Sequence, residues 1–86
     1  MLMHKKLNLK IYSNLSGTSG VTAYQIEHEG MLVEFNRGKI YRYTYASAGK
    51  EAVEKMKLLA QQGQGLSTYI SQNVKEKYEE IVDWKK

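Results

Sequence analysis

Tyr41, Tyr43 and Tyr45 recur at every second position of the run Tyr41-Arg42-Tyr43-Thr44-Tyr45. That spacing puts the three rings on one face of a strand, with Ile40, Arg42 and Thr44 on the other. Aromatic rings on a sheet face, flanked by basic side chains, stack the bases of single-stranded nucleic acids. The same alternation also suits tyrosines packed beneath helices with their hydroxyls at the core edge. Arg42 points away from the rings, which counts against its joining them in one stack.

A second chemistry-bearing stretch is Gly63-Gln64-Gly65-Leu66-Ser67-Thr68. A glycine-flanked turn entering a helix offers free backbone N–H groups to a phosphate, and the hydroxyls of Ser67 and Thr68 add donors. The lysine of a nucleotide-hydrolysing phosphate loop is missing, so hydrolysis is not expected. One helix end followed by the next helix start would use the same residues.

Arg37, Lys39 and Arg42 form a third set around an expected hairpin, where phosphate contacts are sterically easy; a solvated turn is the alternative. Lys5, Lys6 and Lys10 would join them if the N-terminal strand pairs nearby. His4 and His28 stand twenty-four positions apart without further ligand spacing, so neither a metal nor a cofactor is expected. Glu27, Glu29 and Glu34 read as exposed edge carboxylates, without the shielding that acid–base catalysis needs. A non-catalytic protein is expected.

Composition bounds the rest. Eighty-six residues make one small domain with a single hydrophobic core. Apolar residues at 42% against 26% charged ones suit a folded globule. The net charge of +4 favours polyanions, although eleven of the thirteen basic residues are lysines, interleaved with glutamates in the C-terminal half as on a solubilising surface. Absence of cysteine rules out disulfides and thiolate sites. No apolar run approaches the roughly eighteen residues of a membrane span, and the opening residues lack a signal-peptide core, so a cytoplasmic protein without a membrane partner is expected.

The elements that position these residues follow in order. Leu7, Leu9 and Ile11 alternate with polar residues as a short half-buried strand, and Ser13 to Gly20 is turn-rich. Residues 1–15 therefore read as an N-terminal arm, and 16–86 as the main domain. Val21 to His28 and Met31 to Phe35 are the next strands, with Met31, Val33 and Phe35 facing the core. Asn36-Arg37-Gly38 turns the chain into the tyrosine strand, with Gly38 expected to supply the positive φ. Ser47 is expected to cap a helix over Lys50 to Gln62 whose apolar stripe is Ala52, Met56, Leu59 and Ala60, closed by Gly63. A second helix starts near Ser67; Ile70, Val74, Tyr78, Ile81 and Trp84 carry its stripe nearly to the C-terminus. The expected fold is α+β, an antiparallel meander of three to four strands followed by two helices packed on one face of the sheet, the other face being more open.

The run from about Ser19 to Tyr78 resembles the KTSC domain, found at the C-terminus of some lysyl-tRNA synthetases and as a stand-alone bacterial protein. The resemblance rests on Tyr24, on Met31, Val33 and Phe35, on Tyr41 and Tyr43, on Ala60 with Gly63, on Leu66, Ser67 and Ile70, and on Tyr78. It departs at Ser67, where the family has Asn, and at Ser47, near the usual Pro of the helix start. The first helix is also slightly longer than in short family members. The family has no established activity, and its synthetase context implies RNA binding by association.

Two readings result. In the first, the chain binds RNA, single-stranded DNA or a phosphate-bearing nucleotide through Arg37, Lys39, Tyr41, Arg42 and Tyr43, with Gly63, Gly65, Ser67 and Thr68 as a phosphate cradle. In the second, it is an interaction or assembly domain, with Leu7, Leu9 and Ile11 adding to a sheet edge and Trp84 anchoring a protein partner or a second copy.

Overall fold

A computed structural model describes residues 7–15, 17 and 19–82. The fold is α+β: a five-stranded antiparallel sheet with helices packed against one face. The strands lie in chain order, β1 (Lys10–Ile11), β2 (Val21–Glu27), β3 (Gly30–Phe35), β4 (Ile40–Thr44) and β5 (Glu80–Val82). Between β4 and β5 come α1 (Tyr45–Ala48), α2 (Lys50–Gln62) and α3 (Leu66–Tyr69), the last continued by a π-helical turn over Ile70–Val74. Among the described residues no helix is long and apolar enough to cross a membrane.

Alternation sets the sheet faces. Met31 pairs with Tyr43 and Val33 with Tyr41 across β3 and β4, so these four share the helix-side face. A bulge between Val21 and Ala23 turns both Val21 and Tyr24 toward that same face. Val53, Met56 and Ala60 of α2, and Leu66, Ile70 and Val74 beyond it, cover them to form the core. Full burial of each of the Val, Leu, Ile and Met side chains among them contributes about 1.5–3 kcal/mol. Val53 joins the stripe read from α2, while Ala52 and Leu59 pack at its margin. The opposite face is less open than its polar positions imply, because Ala23, Leu32 and Ile40 on it are also buried.

Four local expectations are corrected. Ser47 does not cap α2, whose N-cap is Gly49 without a side-chain hydrogen bond. Ser47 lies in α1, which Thr44 caps, the Ser47 N–H donating to Thr44 Oγ1 at 3.1 Å and the Thr44 N–H to Ser47 Oγ at 3.0 Å. In the β3–β4 hairpin, positive φ falls on Asn36 (52°) and Arg37 (56°) instead of Gly38. Two consecutive left-handed residues make the turn whose twist matches the flanking strands. At the N-terminus the alternation breaks: Ile11 is 81% exposed and Tyr12 is buried. The Tyr12 hydroxyl accepts the Leu66 N–H at 3.3 Å, and the Leu15 N–H donates to Gly63 O at 2.7 Å, so the arm is bonded to the start and end of neighbouring helices.

The fourth correction is the largest. The second helix does not run to Ile81; it ends at Val74, and the Glu79 N–H donates to Arg42 O at 2.6 Å as the chain rejoins the sheet. Ile81 then lies opposite Tyr41, and Glu80 opposite Arg42. Ile81 and Val82 are β-branched, which suits a strand as well as their spacing suited a helix. Trp84 lies outside the described residues.

Candidate functional site

The hairpin turn and the π-helical turn stand on two sides of an open cleft of about 650 Å³. On the sheet side, the Gly38 N–H donates to Phe35 O at 2.8 Å and the Phe35 N–H to Lys39 O at 3.0 Å, which fixes Lys39 at the start of β4. Tyr41 and Tyr43 follow on the helix-side face of β4. On the helical side, the π turn inserts one extra residue per turn. It sends Ile70 and Val74 into the core while Ser71 and, just beyond it, Lys75 and Glu76 line the cleft.

The floor is aromatic. Phe35 meets Tyr41 edge to face at 5.4 Å between ring centroids, Tyr41 meets Tyr78 at 4.8 Å, and Tyr43 meets Tyr78 at 6.2 Å. Tyr43 is buried, whereas Tyr41 and Tyr78 are half-buried at the cleft wall. Burial, with a smaller contribution from the neighbouring Tyr41 and Tyr78 phenols, pushes the Tyr43 hydroxyl up to about 12. Lys39 and Lys75 are exposed at the rim, with Glu76 beside Lys75. The arrangement is chemically a greasy, flat slot with cations at its mouth.

Of the residues singled out in the sequence, Lys39, Tyr41, Tyr43 and Ser67 are brought together here. Arg42 is not. It lies on the opposite sheet face, where its Nε donates to Glu27 at 3.2 Å and its Nη1 pairs with Glu80. Burial works against its charge, but those two carboxylates outweigh burial and hold its pKa above the ordinary value. Arg37 sits exposed at the hairpin tip, outside the cleft lining, and its backbone N–H donates to Thr22 Oγ1.

The glycine turn is separate from the cleft. Gly63 is buried with φ of 81°, Gly65 has φ of 86°, and the N–H of Leu66 is taken by Tyr12. Ser67 alone of that stretch reaches the cleft, and Thr68 is exposed elsewhere. Leu7 and Leu9 are half-buried, and Ile11 stands on the edge strand β1. His28 is exposed, and His4, Lys5 and Lys6 lie outside the described residues. Among the described residues no group of three or more His, Cys, Asp or Glu side chains is arranged to hold a metal ion.

Ser71, Lys75 and Glu76 fall at polar positions of the stretch that reads from the sequence as one helix from near Ser67 nearly to the C-terminus, so no sequence signal marks them as site residues. Tyr78 is marked in the sequence by the apolar stripe of that helix and by the family resemblance, not as a site residue. No protein-family model matches the chain, and neither a curated protein nor a solved structure matches it.

Proposed function

We propose that this protein is a small non-catalytic binding module for nucleic acid or a phosphate-bearing nucleotide, and that its ligand occupies the cleft between the β3–β4 hairpin and the π turn. The observation that carries the reading is the pairing of an aromatic floor (Phe35, Tyr41, Tyr78) with two rim lysines, Lys39 and Lys75. Base rings gain about 1–3 kcal/mol each by stacking on aromatic side chains, and lysines neutralise phosphate with release of counterions. Arg42 is left out of this site, since Glu27 and Glu80 already balance it.

Membership of the KTSC family belongs to the same proposal. It is supported by where the motif residues fall: Tyr24 on β2, Met31, Val33 and Phe35 on β3, Tyr41 and Tyr43 on β4, Ala60 and Gly63 at the end of α2, and Leu66, Ser67 and Ile70 along α3 and its continuation.

The test is a titration against single-stranded RNA, single-stranded DNA and a nucleotide panel at two salt concentrations, with Lys39→Glu and Lys75→Glu as variants. Binding that weakens with salt and in both variants is expected. No binding at low salt overturns the reading.

A second reading, an interaction or assembly module, is favoured by Ile11 on edge strand β1 and Ile81 on edge strand β5, 81% and 42% exposed. Self-association lost on Ile11→Lys or Ile81→Lys, and insensitive to salt, would support it.

A further inference from the structure

The three tyrosines of the alternating run do not form a continuous stacking strip. Tyr43 is 1% exposed. Tyr45 belongs to α1, where its hydroxyl donates to Glu54 and the ammonium groups of Lys50 and Lys57 stand 5.9 and 5.5 Å from its ring centroid. That leaves Tyr41, with Phe35 and Tyr78 against it, as the open aromatic surface of β4. A strand of several bases laid along β4 would find one ring free where stacking needs one per base.

Beneath that surface lies a polar group whose position calls for a partner. The Tyr43 hydroxyl makes no hydrogen bond among the described residues, and no described buried side-chain N or O atom is sealed off without one. The small exposed part of Tyr43 therefore includes its hydroxyl, and Tyr43 is one of the residues that line the cleft. A nearly buried hydroxyl with both a proton and lone pairs to offer penalises an apolar ring and favours one with a hydrogen-bonding edge. At the rim, two lysines against Glu76 leave a single positive charge, enough to attract one phosphate group.

Resting on the binding reading above, we infer that the cleft takes one nucleoside monophosphate unit at a time, base inward and phosphate at the rim, with the Tyr43 hydroxyl hydrogen-bonded to the edge of the base. The unit is either a free mononucleotide or a single nucleotide of a strand. The cleft volume lies in the ordinary range for one small ligand.

The experiment titrates the full chain, and a Tyr43→Phe variant, with the four ribonucleoside 5′-monophosphates, their triphosphates, and oligoribonucleotides three, six and twelve long. The folded fraction of each protein is followed in parallel. At least one monophosphate is expected to bind one to one and to displace the oligomers. A free mononucleotide as ligand predicts no gain from oligomer length; a nucleotide within a strand predicts a statistical gain with unchanged competition. Tyr43→Phe keeps the ring and should weaken that monophosphate about three- to tenfold, the worth of one neutral hydrogen bond. Oligomers that bind with a site of several nucleotides and resist monophosphate competition overturn this inference and leave the binding reading standing. An affinity unchanged by Tyr43→Phe overturns the role of the hydroxyl, and silence from every ligand overturns both readings.

Discussion

Tyr78 meets Tyr41 edge to face with 4.8 Å between ring centroids and 76° between planes. The contact joins the segment that leaves the π turn to β4, the strand beside which that segment then pairs as β5. Tyr78 also touches Tyr43, so one ring closes the core on one side and walls the cleft on the other. Edge-to-face aromatic pairs contribute about 0.5–1.5 kcal/mol beyond the area they bury. Tyr78→Ala should therefore cost about 2–4 kcal/mol, the range for truncating a largely packed aromatic, whereas Tyr78→Phe should be nearly neutral. Denaturant midpoints of the two variants check this; equal losses would mean that the hydroxyl, and not the ring, does the holding.

Arg42 clasps the far face of the sheet. Its guanidinium reaches Glu27 on β2 and Glu80 on β5, with side-chain exposures of 24%, 22% and 48% for the three residues. Removing the cation strands two carboxylates, one of them mostly buried, so Arg42→Ala is expected to destabilise the fold by about 2–3 kcal/mol. Arg42→Lys should lose about 1 kcal/mol, because an ammonium cannot serve both partners with the guanidinium's fork. Nucleotide affinity of folded Arg42→Lys should equal that of the natural protein, in contrast to Lys39→Glu. A matching loss of affinity in both variants would return Arg42 to the binding surface.

Tyr43 makes stability depend on alkaline pH. Its hydroxyl ionises near 10.0 in an unfolded chain and near 12 in the fold, because burial disfavours the phenolate. A raised folded-state pKa means that the stabilisation is fully present below pH 10 and is lost as pH climbs toward 12, by on the order of 2 kcal/mol. Tyr43→Phe has no proton to lose. Its stability should stay flatter over pH 10–12 than that of the natural protein, as followed by urea unfolding at each pH. Parallel curves would show that this phenol already ionises in the folded state without penalty.

Alternation of residue types made the β2–β4 meander legible, since Met31, Val33 and Phe35 facing Tyr41 and Tyr43 obey one simple period. The apolar stripe and the glycine end made α2 legible for the same reason. What escaped depends on contacts distant in the chain. Ile70, Val74, Tyr78 and Ile81 keep helical spacing through the very place where the helix stops, and pairing with Tyr41 of β4, forty positions earlier in the chain, decides that Ile81 is in a strand. Half of the cleft was hidden with it, because Lys75, Glu76 and Tyr78 come to Tyr41 only through that return. Tyr12 was missed because an apolar Ile11 beside it looked the better core residue; the hydroxyl contact to Leu66, fifty-four positions on, reverses the choice.

The last prediction concerns how the N-terminal arm is held. A Cβ on Gly63 would lie 2.7 Å from Ser13 Cβ and 3.5 Å from Leu15 Cγ, and Gly63 has φ of 81°. Alanine there meets two costs, about 1 kcal/mol or more for the left-handed backbone and a further cost for pushing the arm away. Gly65 shares the left-handed backbone, with φ of 86°, but a Cβ there meets only Leu59 Cδ2 at 3.6 Å, an ordinary contact. Gly65→Ala should thus lose about 1 kcal/mol and Gly63→Ala about 2–4 kcal/mol. Adding Ser13→Gly removes the clashing Cβ and should recover the difference for Gly63→Ala while doing nothing for Gly65→Ala. A coupling above about 1 kcal/mol in that double-mutant cycle means that the arm is seated on the end of α2 in solution; strict additivity would mean that the arm lifts off at little cost.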